Sequence, residues 1–128
     1  MRAEIKTEAA PAAIGPYAQA IHAGDFVFTS GQIALAPETG ELVGDDAAAQ
    51  TRRVMDNLTA VLAAAGASWE DVVKTDIFLV DLEDFAPVND VYATYVGSPP
   101  PARATVQVAA LPRGARVEIA AVVYVGGK

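Results

Sequence analysis

The stretch Arg116–Val125 sets the hardest condition on how this chain can fold. Val117, Ile119, Ala121 and Val123 alternate with Ala120, Val122 and Tyr124, so a strand here is apolar on both faces apart from Glu118. Such a strand needs cover on two sides. The chain has 128 residues, the size of one domain spanning 1–128, and its patterning yields two helices, too few to cover both faces of a sheet. The simplest cover for the second face is another copy of the chain. Composition points the same way. Of the residues 52% are apolar, but Ala supplies 27 of them and Phe, Tyr and Trp only 4, 4 and 1. Small side chains each remove little area from water, at roughly 25 cal/mol per Å², and association offsets a modest core.

The elements follow from periodicity and punctuation. Ile5 and its neighbours form a short first strand. Tyr17–His22 and Phe26–Ser30 read as a hairpin, because the Ala23-Gly24-Asp25 link holds residues that tolerate positive φ. Asp45–Ala65 is the clearest helix. Asp45 or Asp46 caps it, and Thr51, Val54, Met55, Leu58, Val61, Leu62 and Ala65 make one stripe. Gln50, Arg52, Arg53, Asp56 and Asn57 lie off that stripe, and Gly66 stops the last turn. Val72–Val80 is strand-like in its β-branched and aromatic content. A second helix is predicted over Asp84–Val96, with Phe85, Val88, Tyr92, Tyr95 and Val96 on one face. Pro87 fits only in its first turn, and Gly97 with Pro99-Pro100-Pro101 ends it. Arg103–Val108 and Arg116–Val125 are the last strands, giving the order β-β-β-α-β-α-β-β.

Several function classes are excluded or disfavoured. Nine Lys and Arg against 16 Asp and Glu give a net charge of −7, which argues against nucleic acid as the main partner. Arg52-Arg53 reads as a solvated helix face with no basic stripe beside it. The chain has no Cys and one His, so thiol nucleophiles, thiolate metal sites and any triad not built on His22 are out. His22 itself reads as a surface or hydrogen-bonded residue, not a metal ligand, and Trp69 reads as packing. Met1–Ala10 carries Arg2, Glu4, Lys6 and Glu8 in place of an apolar signal, and no segment matches a membrane span. The expectation is a soluble cytoplasmic protein.

Arg103 and Glu118 stand out as charges inside strand-like runs. Desolvation of an ion costs several kcal/mol, so two readings arise. In one, the two sit on consecutive strands and form a structural ion pair. In the other they make a site: Arg103 offers its planar fork to a carboxylate, and Glu118 handles a proton or a water, with burial tuning its pKa. Thr29-Ser30-Gly31-Gln32 is either a plain turn or a loop in which Gly31 lets backbone N–H groups approach a ligand. Asn89 faces the same way as Phe85, four residues earlier, as an interface hydrogen-bonder or a site residue. Tyr17, after Gly15-Pro16, is packing or site.

Taken together, Ala12-Ala13-Ile14-Gly15-Pro16-Tyr17-Ala18-Gln19-Ala20, Thr29-Ser30-Gly31-Gln32-Ile33, Gln50-Thr51-Arg52, Ala64-Ala65-Gly66, Asp84-Phe85 with Asn89 and Tyr92, Pro100-Pro101-Ala102-Arg103 and Val117-Glu118-Ile119 resemble the RidA/YjgF family. Older usage labels that family L-PSP endoribonuclease. The resemblance runs end to end. It implies a chorismate-mutase-like α/β (α+β) fold, a six-stranded mixed sheet with two helices on one face, and a homotrimer with clefts between subunits. It implies hydrolysis of enamines and 2-imino acids, such as 2-aminoacrylate and 2-iminopropanoate, to 2-oxo acids and ammonia, with no metal or organic cofactor. By the same resemblance Arg103 binds the substrate carboxylate, Glu118 positions the hydrolytic water, and Tyr17, Ser30, Gly31, Phe85 and Asn89 line the cleft. Thr105 departs from the family, which often has Cys there, in a role resting largely on backbone contact. Two alternatives stay open: an endoribonuclease or translation inhibitor, and a non-catalytic carboxylate-binding or chaperone-like trimer.

Overall fold

The computed structural model describes residues 1–127. Six strands, β1 (Arg2–Ile5), β2 (Ala20–Ala23), β3 (Phe26–Thr29), β4 (Val72–Leu79), β5 (Ala102–Gln107) and β6 (Val117–Tyr124), form one sheet in the order β1-β2-β3-β6-β4-β5. Neighbours are antiparallel except β4 and β5. The exception has a simple cause. Parallel strands need a crossover, and α2 (Phe85–Ala93) supplies it, while α1 (Ala47–Ala64) links β3 to β4.

Local chemistry sets the helix ends. Asp46 Oδ1 accepts from Ala49 N at 2.8 Å and caps α1. At the other end Gly66 takes φ +73°, its N–H bonds Ala63 O and Ala67 N bonds Leu62 O, which closes the last turn. Both helices lie on one face of the sheet. Val54, Met55, Leu58, Ile77, Leu79, Val88, Tyr92, Val117 and Ile119 pack into one buried cluster there, and Val27, Val61, Leu62, Val72, Ala121 and Val123 into a second. The opposite face is uncovered within the chain. Phe28, Val106, Tyr124 and Phe26 remain 48%, 46%, 45% and 39% exposed on it. The expected shortage of cover on one face is therefore present in a single chain.

Three expectations need correction. First, Arg103–Val108 and Arg116–Val125 are consecutive in sequence but not neighbours in the sheet, because β4 pairs with both. Second, α2 stops at Ala93 and not near Val96. Thr94 Oγ1 bonds Val91 O, and Tyr95 turns out of the helix to bond Asp56 Oδ1 at 2.7 Å. Burial and that bond push the Tyr95 phenol up to about 12. Third, Gln50 and Asn57 are buried. Asn57 Nδ2 donates to Leu35 O at 2.9 Å and Ile33 O at 3.3 Å, and Gln50 accepts from Arg116 N at 2.8 Å. Both amides anchor loops to α1 and satisfy backbone groups that lack a ladder partner. Among the described residues, no helix is long and apolar enough to cross a membrane.

Candidate active site

The strand register puts the two notable charges on opposite faces. Arg103 aligns with Thr75 on β4, and Glu118 with Phe78. Positions 75 and 78 are three apart on one strand, so their side chains leave by different faces. Thr75 points to the helices, where its hydroxyl and that of Tyr92 lie 2.7 Å apart. Arg103 follows it. Its Nη1 donates to Asn89 Oδ1 at 2.8 Å, and its guanidinium carbon lies 5.4 Å from the Phe85 ring centre and 5.2 Å from that of Tyr92. The side chain is exposed, not buried in the strand. One turn of α2 thus carries Phe85 and Asn89 to the same cation, as their spacing predicts. A cleft of about 350 Å³ beside it is lined by Asn89, Tyr92, Val96, Pro100, Pro101 and Arg103. Burial pushes the Tyr92 phenol up, against the opposing pull of its Thr75 bond and of Arg103.

Glu118 stands on the uncovered face, in the wall of a separate cavity of about 550 Å³ that Tyr17, Ser30, Gly31, Pro112 and Arg113 also line. Its carboxylate has no hydrogen-bond or ion-pair partner among the described residues. Burial raises its pKa above the ordinary carboxylate value. The structural ion pair with Arg103 is therefore absent within the chain. Arg103 also does not reach the Glu118 cavity of its own chain, so the expected single pocket holding both charges does not form there. Arg113, with φ +62°, is the cation at this cavity; its Nη1 donates to Gly40 O at 3.2 Å.

The loop under the cavity is firmly held. Ser30 N donates to Gln19 O at 2.9 Å, and Ser30 Oγ donates to Ala18 O at 2.6 Å. Buried Gln19 in turn binds Thr7 N, Thr7 O, Ala10 O and Pro11 O, fastening the N-terminal segment along the cavity rim. Ser30 thus spends its hydroxyl proton on structure, and Gln19 is a scaffold residue that sequence patterning did not single out. Tyr17 is 51% exposed, and its hydroxyl accepts weakly from Ile14 N at 3.4 Å. Thr105 lies on the helix face two residues from Arg103, outside both cavities, and its hydroxyl is buried without a partner among the described residues. His22 is exposed and bonds Gly24 O through Nε2. No group of three or more His, Cys, Asp and Glu among the described residues could hold a metal.

A mixed sheet with helices on one face, an aromatic-backed arginine and a carboxylate in a cavity with no polar partner among the described residues make up a small α+β domain. The chain belongs to the RidA/YjgF family: the endoribonuclease L-PSP family model matches residues 7–125. Protein DfrA of Myxococcus xanthus is 57% identical over 123 residues, covering 94% of each chain. The 2-iminobutanoate/2-iminopropanoate deaminase of Mus musculus is 46% identical over 126 residues, 98% of this chain and 93% of the mouse protein. The crystal structure of RidA from a Psychrobacter species superposes with a TM-score of 0.92 at 48% identity, covering 95% of this chain and 98% of that one.

Proposed function

We infer that the chain is an enamine and imine deaminase, a hydrolase of C=N bonds that converts 2-imino acids of the 2-iminopropanoate type to 2-oxo acids and ammonia. The partnerless, half-buried carboxylate of Glu118 in its cavity carries this assignment. A carboxylate kept out of ion pairs, with a raised pKa, is suited to exchange protons with a bound water. Arg103, backed by two rings, is suited to a substrate carboxylate.

The working site spans two copies of the chain. Arg103 and Glu118 leave opposite faces of one sheet, and one face leaves apolar side chains uncovered within the chain. A homotrimer whose copies bring the arginine of one to the Glu118 cavity of the next fits both facts. Light scattering is expected near three times 13.2 kDa; a stable monomer with full activity would contradict this arrangement.

The reaction balances without a further reagent. Arg103 fixes the carboxylate of the protonated imine. Glu118 accepts a proton from water as its oxygen bonds the C=N carbon, giving a neutral carbinolamine. The proton then passes from Glu118 to the amine, the C–N bond breaks, ammonia leaves, and the hydroxyl proton returns to Glu118. Ammonia and that proton make ammonium, so iminium plus water become 2-oxo acid plus ammonium. An acid/base group of this kind contributes roughly 10²–10⁴ in rate.

An amino-acid oxidase can generate the imine in situ, with semicarbazide trapping what survives. Wild type is expected to lower the trapped signal, and Arg103→Ala and Glu118→Gln to leave it high. Full activity in Arg103→Ala overturns the carboxylate assignment; full activity in Glu118→Gln overturns the water-handling role. The family description also supports ribonuclease action as a second reading. A net charge of −7 weighs against it, and RNA cleavage is expected to vanish on repurification.

A further inference from the structure

The loop at Gly31 contradicts the ordinary reason for a glycine. Its φ lies outside the left-handed region that Gly15, Gly24, Gly40, Gly44, Gly66, Gly114 and Gly127 occupy. A positive φ is therefore not what calls for glycine here. What a side chain there would meet, and would have to displace, is the end of Glu118. A Cβ on Gly31 would lie 2.6 Å from Glu118 Oε2, 2.7 Å from Cδ and 2.9 Å from Cγ, all well inside van der Waals contact.

The two partners in that contact are not equally free to move. The loop is fastened on both sides of Gly31. Ser30 bonds Gln19 and Ala18 on one side, and Gln32 exchanges two backbone bonds with Ile119 on the other, at 2.9 and 3.1 Å. Ile119 is the residue next to Glu118, so the same bonds hold the loop and the strand together. The Glu118 carboxylate, by contrast, is tied by no hydrogen bond or ion pair among the described residues.

We propose that Gly31 is a positioning residue: the volume left by its missing side chain is the slot that seats the Glu118 carboxylate. Gly31 then acts on the reaction through Glu118, apart from any approach of its own N–H to a ligand. The catalytic part of this inference rests on the deaminase reading; the steric part does not, and the two are separable by experiment.

Gly31→Ala is expected to lower kcat by about 10²-fold, the scale for a catalytic group misplaced by about 1 Å, with KM little changed. Glu118→Asp withdraws the carboxylate by one methylene, so Gly31→Ala/Glu118→Asp is expected to be faster than Gly31→Ala alone. Wild-type kcat in Gly31→Ala, or a double variant whose loss equals the product of the two single losses, overturns the proposal. A thermal cycle tests the slot without activity. Gly31→Ala is expected to lower Tm in the wild-type background and to leave it unchanged in the Glu118→Ala background; an equal loss in both backgrounds overturns the steric claim, even if Gly31→Ala weakens folding. Glu118→Gln at full activity with the thermal cycle intact would instead fault the deaminase reading and leave the slot standing.

Discussion

The two faces of the sheet treat their charges in opposite ways. On the helix face, Arg103 is held by Asn89 and backed by the rings of Phe85 and Tyr92. On the uncovered face, Glu118 has no polar partner among the described residues and is located by the gap at Gly31. The contrast fits two different tasks. A carboxylate-binding cation gains from being oriented before the ligand arrives, since its ordering is then complete at binding. A proton-transfer group gains from lacking a permanent partner, since a paired carboxylate titrates too low to take and return a proton near neutrality. On the proposed reading, contacts make the first group effective and their absence makes the second so.

The largest expected effect comes from breaking the uncovered face itself. Phe28 pairs with Val122 there and is 48% exposed in the single chain. Phe28→Asp would place a carboxylate in the proposed interface with nothing to pair it, at a cost of several kcal/mol. Light scattering is expected to fall toward 13.2 kDa, with imine hydrolysis lost while circular dichroism still reports a folded chain. A monomer of full activity would remove the need for two faces to meet.

Next in size is the kinetic split between the two charges. Glu118→Gln is expected to lower kcat by about 10²–10⁴-fold with KM nearly unchanged. Arg103→Ala is expected to act mainly through KM, since a charge-assisted hydrogen bond contributes about 1.5–3 kcal/mol. Steady-state kinetics on one imine decides it, and equal effects of both variants on kcat alone would erase the division of labour.

Much of this frame was legible in the chain, and the illegible parts share a cause. Asp46, Gly66 and the apolar stripe between them define α1 through contacts within a few residues. The Gly24 turn defines the hairpin in the same local way. Phe85 and Asn89 were readable as one face because helical geometry makes it so. The insertion of β6 between β3 and β4 was not readable, because strand pairing over long separations leaves no local mark. That one fact separates Arg103 from Glu118. Gln50 and Asn57 look like solvated helix residues; only loops arriving from residues 33–44 and 116 turn them into buried anchors. Gly31 is the same case at the site. Its sequence context suggests a turn, and its actual constraint comes from a side chain 87 positions later.

A smaller effect is expected from loosening the arginine while keeping its charge. Asn89→Ala removes one hydrogen bond and leaves both rings in place. A net loss of about 0.5–1.5 kcal/mol corresponds to a several-fold rise in KM, with kcat close to wild type. Arg103→Lys is expected to be worse than Asn89→Ala, because an ammonium lacks the planar fork that a carboxylate matches. If the order is reversed, orientation by α2 matters more than the fork, and the helix face would be the more sensitive half of the site.

The smallest effect concerns stability, and it tests the partnerless state of Glu118 directly. Burial raises its pKa in the folded protein, so the folded state holds that proton more tightly than the unfolded chain does. The stability linked to it is fully present below the ordinary carboxylate pKa, about 4.3, and is lost as pH rises through the higher folded value. Above that window, folding carries the cost of an ionised, partly desolvated carboxylate. Glu118→Gln has a neutral side chain of the same shape and carries no such cost. Its Tm is therefore expected to exceed that of wild type at neutral pH by at most a few °C, since the group is half-exposed and solvent screens much of the effect. The two melting curves are expected to converge below about pH 4, where wild type is also neutral. In the proposed trimer the arginine of the next copy reaches this cavity, so a glutamine variant less stable than wild type at neutral pH would mean that Glu118 pairs permanently with this arginine in the assembled protein. Its charge would then be held as firmly as that of Arg103, and the difference between the two faces would disappear.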